Sequence, residues 1–163
     1  VTTLILPVET RREILAWSAA RAPSEACGFL LGHAPSRDAG AVGLVWTVVD
    51  AVECANASVD PRRFEIAPTD VVATDAAAHA RGLELVGVWH SHPDGEAVPS
   101  TRDGADESWI LLVAGLARGR TLRAWRRSGT GFVEWHLVAQ ASCATRIAAH
   151  NLRPGNPESE STP

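Results

Sequence analysis

Leu83-Glu84-Leu85-Val86-Gly87-Val88-Trp89-His90-Ser91-His92 is apolar on both faces for most of its length. A strand with one wet side alternates polar and apolar residues, so this run reads as a central strand covered on both sides. Pro93, Asp94 and Gly95 end it. Upstream, Thr69-Asp70 caps an Ala-rich helix that stops at Gly82. Downstream, Trp109 to Ala114 and Thr121 to Trp125 read as strands, and Gly129-Thr130-Gly131 turns the chain into Phe132 to Val138 to complete a hairpin. Working toward the N-terminus, residues 54–68 form a loop marked by Asn56 and Pro61. A β-branched strand, Val42 to Val52, precedes it, and Glu25 to Leu31 is another strand, ending at Gly32. Pro7-Val8-Glu9 opens a helix to about Arg21, with acid early and Arg late as the helix dipole favours, and Ala22-Pro23-Ser24 breaks it. The order helix, strands, helix, strands predicts the α/β class. We expect a single-domain α/β sandwich whose mixed, strongly curved sheet is flanked by helices.

The bulk properties agree with one domain. A chain of 163 residues with 45% apolar and 21% charged residues buries roughly 70% of the surface it exposes when unfolded. It is too short for an eight-fold α/β barrel, which needs about 250 residues. No apolar run approaches the ~18 residues of a membrane span, and no basic segment with a small-residue cleavage site opens the chain. The net charge of −4 provides no basic field for nucleic acid or an anionic membrane. Cys27, Cys54 and Cys143 are far apart and outside any CxxC spacing. That argues against a disulfide scaffold or a cysteine zinc cage, and a reducing cytoplasm is the expected compartment. Residues 1–138 read as the domain and 139–163 as a C-terminal extension, with a helix over 139–152 and a Pro-, Ser- and Glu-rich tail over 153–163.

Chemistry concentrates at the end of the central strand. His90 and His92 are two apart, so both imidazoles leave the same face. A shared Zn²⁺ at ~2.0–2.1 Å from each nitrogen relieves the conflict between two adjacent imidazoles. The competing reading is a pair of strand-end histidines bonded to water. Asp103 lies beyond a loop bracketed by Pro93 and Pro99 and can return as a third ligand. Three protein ligands leave one tetrahedral position open, as in catalytic zinc sites. Ser100 as helix N-cap with Asp103 at N3 also reads as a weak capping box, which is compatible with metal binding. Glu25 taken alone reads as a solvated acid at a strand entrance. Neither the HExxH of helical zincins nor the HxE and PCxxC of nucleobase deaminases is present.

His90-Ser91-His92-Pro93, followed by Ser100-Thr101-Arg102-Asp103, resembles the signature of the JAB/MPN metalloproteases, the JAMM motif. Pro23 to Gly32 resembles the early strand that carries the family's glutamate, and Asn56 with Pro61 and Phe64 is similar to a loop of the small bacterial members. The resemblance spans residues 1–138. It implies a JAB/MPN, cytidine-deaminase-like fold with one zinc per chain, held by His90, His92 and Asp103. It further implies Glu25 as the proton-transferring base and Ser100 as a stabiliser of the oxyanion. Asn56, Phe64 and Trp89 are expected to shape the substrate groove. The implied activity is cleavage of a peptide or isopeptide bond after the C-terminal Gly-Gly of a ubiquitin-like or sulfur-carrier protein, including release of cysteine from a carrier. The alternatives are a catalytically silent MPN-type binding module and a cell-wall or phage-tail peptidase on the same scaffold. No nucleic acid or membrane partner is expected. Cys27 reads as a buried apolar residue, and His33, His79, His136 and His150 match no ligand spacing.

Overall fold

The structure is a computed structural model that describes residues 2–33, 44–104 and 107–141. Along the chain run β1 (Thr3–Pro7), α1 (Val8–Arg21), β2 (Cys27–His33), β3 (Val45–Cys54), α2 (Pro68–Ala80), β4 (Glu84–His92), β5 (Ile110–Gly115), β6 (Thr121–Ser128) and β7 (Gly131–Gln140). The strands close on themselves in the order β1-β3-β2-β4-β5-β6-β7. Pairing is parallel for β1 with β3, β1 with β7 and β4 with β5, and antiparallel elsewhere.

This corrects the expected α/β sandwich. The described residues form a closed, mixed barrel of seven strands with two short helices, and most of the regular secondary structure is sheet. The difference comes from β1, five residues that lead directly into α1 and that pattern reading leaves unassigned. Leu4 and Leu6 are completely buried. β1 joins the β3 segment Val45 to Thr47 on one side and the β7 segment His136 to Gln140 on the other, so neither strand remains an edge. A sheet closed in this way needs no layer of helices to protect its margins.

Both faces of the sheet are packed. Along β5, Ile110, Leu112 and Ala114 join the apolar cluster that includes Ile14 of α1, whereas Leu111 and Val113 join the one that includes Ala78 of α2. The alternation follows from the two-residue period of a strand. Trp89 belongs to the first cluster, and its indole N–H donates to the Val52 carbonyl at 3.1 Å. Gly28 makes room for this contact, because a Cβ there would collide with the same carbonyl and indole. α2 begins with Pro68 after Ala67, without a side-chain cap, so Thr69 and Asp70 lie inside its first turn. Proline suits that position because its missing N–H has no intrahelical partner there. β7 extends through Ala139 and Gln140, which pair with Leu6 and Pro7. Residues 142–163, including most of the expected terminal helix, the tail, Cys143 and His150, lie outside the described residues. Among the described residues, no helix is long and apolar enough to cross a membrane.

Candidate metal centre

His90 and His92 project from one face at the C-terminal end of β4, while Trp89 and Ser91 take the other face, as strand alternation requires. The two Nε2 atoms are 3.0 Å apart. Asp103 Oδ2 lies 3.3 Å from the first and 3.4 Å from the second. The three donor atoms all fall within 4.8 Å of one another. The chain returns from His92 to Asp103 through a pinned loop in which the Trp125 indole donates to Ala97 O at 3.0 Å. No helix starts at Ser100, and residues 101–102 form a turn instead. The Ser100 N–H donates to Asp103 Oδ2 at 2.7 Å, and the Ser100 hydroxyl accepts the Arg102 N–H at 3.2 Å. The turn therefore fixes the same carboxylate oxygen that faces both histidines.

The protonation pattern suits a cation. Nδ1 of His92 lies 3.1 Å from the Glu96 carbonyl, which can only accept. Nδ1 must therefore carry a proton, so Nε2 is the bare nitrogen available as a ligand in the neutral ring and donates to Asp103 only when the metal-free ring is charged. Burial works against ionising Asp103, but hydrogen bonds from His90 and His92 outweigh it and hold the carboxyl well below the usual range. Burial lowers the proton affinity of His90, while the hydrogen bond to Asp103 raises that of His92. Two imidazole nitrogens and one carboxylate oxygen converging with little access to water form a donor set that fits a zinc ion. The residues fit the group that the sequence implies.

Glu25 stands beside this cluster, 7% exposed. Burial pushes its carboxyl up to about 7, with Asp103 and Asp60 adding to the shift and His92 opposing it. It shares a cleft of about 190 Å³ with His92, Pro61 and Arg62, and it borders a larger cleft of about 440 Å³ lined by Arg21, Glu53, Cys54 and Asn56. The Glu25 N–H donates to Pro61 O at 3.0 Å, and its carbonyl accepts the Asn56 side-chain amide at 3.0 Å. The larger cleft also receives Cys54, which faces Cys27 across the β2–β3 pair. Burial pushes the Cys27 thiol up to about 12, consistent with a core residue.

The structure thus brings Glu25, His90, His92 and Asp103 together, and it ties Ser100 in through its backbone. Phe64 arrives as well, stacked on the His90 ring with centroids 4.5 Å apart. Trp89 does not reach the site. It is completely buried on the opposite face and stacked against Trp17 at 5.6 Å. The carbonyls of Glu96 and Pro61 were not anticipated, because backbone acceptors leave no trace in side-chain pattern. Ser91 has a part that its sequence position only hints at. Its hydroxyl accepts the Ala26 N–H at 2.8 Å and its own N–H donates to Ala26 O at 2.9 Å, which ties the entry to β2 onto β4. Ser91→Ala leaves the Ala26 N–H without its acceptor and should cost about 1–3 kcal/mol. Urea unfolding should show this as a lower midpoint at unchanged slope.

Fold and site together define a class: closed, mixed β-barrels that carry a His-x-His pair and a distant aspartate able to hold a metal ion. Residues 7–128 match the family described as prokaryotic homologs of the JAB domain, and the chain belongs to that family. It is 32% identical over 122 residues to the desampylase of Haloferax volcanii, a match that covers 72% of this chain and 80% of that protein. A solution structure from Desulfitobacterium hafniense superposes with a TM-score of 0.74 at 24% identity, covering 85% of this chain and 94% of that one, a likeness of fold. Another, from Salinibacter ruber, gives a TM-score of 0.61 at 28% identity and covers 93% and 99%.

Proposed function

We propose that this chain is a zinc-dependent hydrolase that cuts the peptide or isopeptide bond after the C-terminal Gly-Gly of a ubiquitin-like or sulfur-carrier protein. The observation that carries this reading is the convergence of His90, His92 and Asp103 with the buried carboxyl of Glu25 beside them. Its relationship to a desampylase supports the choice of a protein conjugate as substrate. In this reading residues 1–138 form the catalytic unit.

His90, His92 and Asp103 would hold the metal, each histidine through a ring nitrogen and the aspartate through a carboxylate oxygen. Zinc, when bound, supplies Lewis-acid activation of water and of the scissile carbonyl. Glu25 takes a proton from the attacking water on its carboxylate and passes it to the leaving nitrogen. Without that transfer the tetrahedral intermediate expels water rather than the poorer amine leaving group. A carboxyl that titrates near 7 suits both halves of this exchange. The Ser100 hydroxyl uses an oxygen lone pair on the Arg102 N–H and keeps its own proton to donate to the developing oxyanion. The loss of one such donor typically costs 10²–10³ in rate.

The test uses a ubiquitin-fold carrier joined through its Gly-Gly to a short reporter peptide, with metal content measured on the same preparation. The expected result is about one zinc per chain and a cut directly after Gly-Gly that a chelator stops and added zinc restores. Protein that carries zinc yet leaves every such carrier intact, or that cuts muropeptides instead, overturns the reading.

A further inference from the structure

The segment 56–65 grips both halves of the site. Glu25 precedes β2, so the ladder does not satisfy its backbone groups, and the loop supplies both partners instead: Pro61 O for the N–H and Asn56 Nδ2 for the carbonyl. The same amide group donates to Arg63 O at 2.8 Å, and its Oδ1 accepts the N–H groups of Ser58 at 2.9 Å and Glu65 at 3.1 Å. Two donors and two acceptor lone pairs are all that an asparagine side chain has. Nothing is left over for a substrate.

At the far end of the loop, the Phe64 ring lies nearly parallel to His90, with 20° between the planes. His92 is oriented by its hydrogen bond to Glu96 O. Nδ1 of His90, in contrast, is buried with no hydrogen-bond partner among the described residues. Such a bond ordinarily holds a ligating imidazole in place. The Phe64 ring face is the contact that His90 has instead.

We infer that loop 56–65 is a brace for the reacting groups rather than a wall of the substrate groove, with Asn56 positioning Glu25 and Phe64 positioning His90. This rests on the hydrolase reading for Asn56, whereas the Phe64 half can be read from metal binding alone. A groove wall acts mainly through KM. A brace acts through kcat on the Glu25 side and through metal retention on the His90 side.

Phe64→Leu keeps the apolar bulk and loses the ring face. Competition with a chromophoric chelator should show zinc held about 10–100-fold more weakly, the usual worth of an outer partner of a ligand. Phe64→Tyr keeps the face and should stay within about threefold of wild type. Asn56→Asp preserves both acceptor roles and removes both donors, to Glu25 O and to Arg63 O. It should lower kcat by about 100-fold with KM and zinc affinity nearly unchanged. Should either variant fail to fold, Phe64→Met and Asn56→Ser carry the same comparison. Wild-type zinc affinity in the Leu or Met variant, or a raised KM at constant kcat in the Asp or Ser variant, overturns the brace. Failure of the wild-type enzyme to cut any Gly-Gly carrier instead sinks the hydrolase reading, and the zinc arm still decides the Phe64 assignment.

Discussion

Glu25→Gln should lower turnover by about 10²–10⁴-fold, the span general acid–base groups usually contribute, while the protein still takes up its metal. The amide matches the carboxylate in size, so the cleft with His92 and Arg62 keeps its shape and only the proton exchange is lost. A second, independent effect follows from burial. In the fold this carboxyl holds its proton up to about pH 7, against an ordinary value of 4.5. Between those two values the folded chain binds more protons than the unfolded one, so stability falls as pH rises through the window and levels off above it. The neutral amide of the variant has no charge to bury and escapes this loss. In metal-free protein, Glu25→Gln should therefore be the more stable form at pH 8, by about 1–2 kcal/mol once water in the cleft is allowed for. Near pH 4 the two should converge. Urea melts at both pH values test the stability effect, and single-turnover cleavage tests the catalytic one. Turnover within about threefold of wild type would remove Glu25 from the role of base.

Asp103→Asn should abolish useful zinc binding, a loss greater than the roughly 10–100-fold that an outer partner is worth. The carboxylate oxygen closest to both histidines also receives the Ser100 N–H. An amide keeps that shape but offers neither charge nor a comparable ligand. The metal-free protein gives a separate readout, because the raised proton affinity of His92 owes most to its hydrogen bond with Asp103. In Asp103→Asn the His92 imidazole should titrate at a lower pH than in wild type, followed by its ring-proton resonances. Calorimetric zinc titration and this shift are linked through one residue but measured on different states. Wild-type zinc affinity in the variant would show that the aspartate is only a hydrogen-bond partner.

Much of this site is written in local spacing. Covalent geometry sends residues two apart on a strand to the same face, which is why His90 and His92 converge in any fold that extends this segment. The same rule sends Trp89 into the core opposite them, so its separation from the histidines was legible in the very pattern that paired them. Asp103 and Glu25 are different. Nothing local specifies that they approach β4: the proline-bracketed loop only allows Asp103 to return, and family resemblance alone singled out Glu25. The brace was half visible: Asn56 and Phe64 stood out, but their partners are backbone groups and a ring face.

The amino-acid sequence alone determined the helix from Val8, the central strand, the hairpin at Gly129 and the histidine pair, because each depends on periodicity or turn chemistry within a few residues. Only the tertiary structure decided that the sheet closes. Closure depends on five residues at the start of the chain pairing with distant segments, Thr3 with Val45 on one side and with His136 on the other. Such long-range pairing rests on the loss of unpaired strand edges and the burial of Leu4 and Leu6, and a short strand running straight into a helix announces neither.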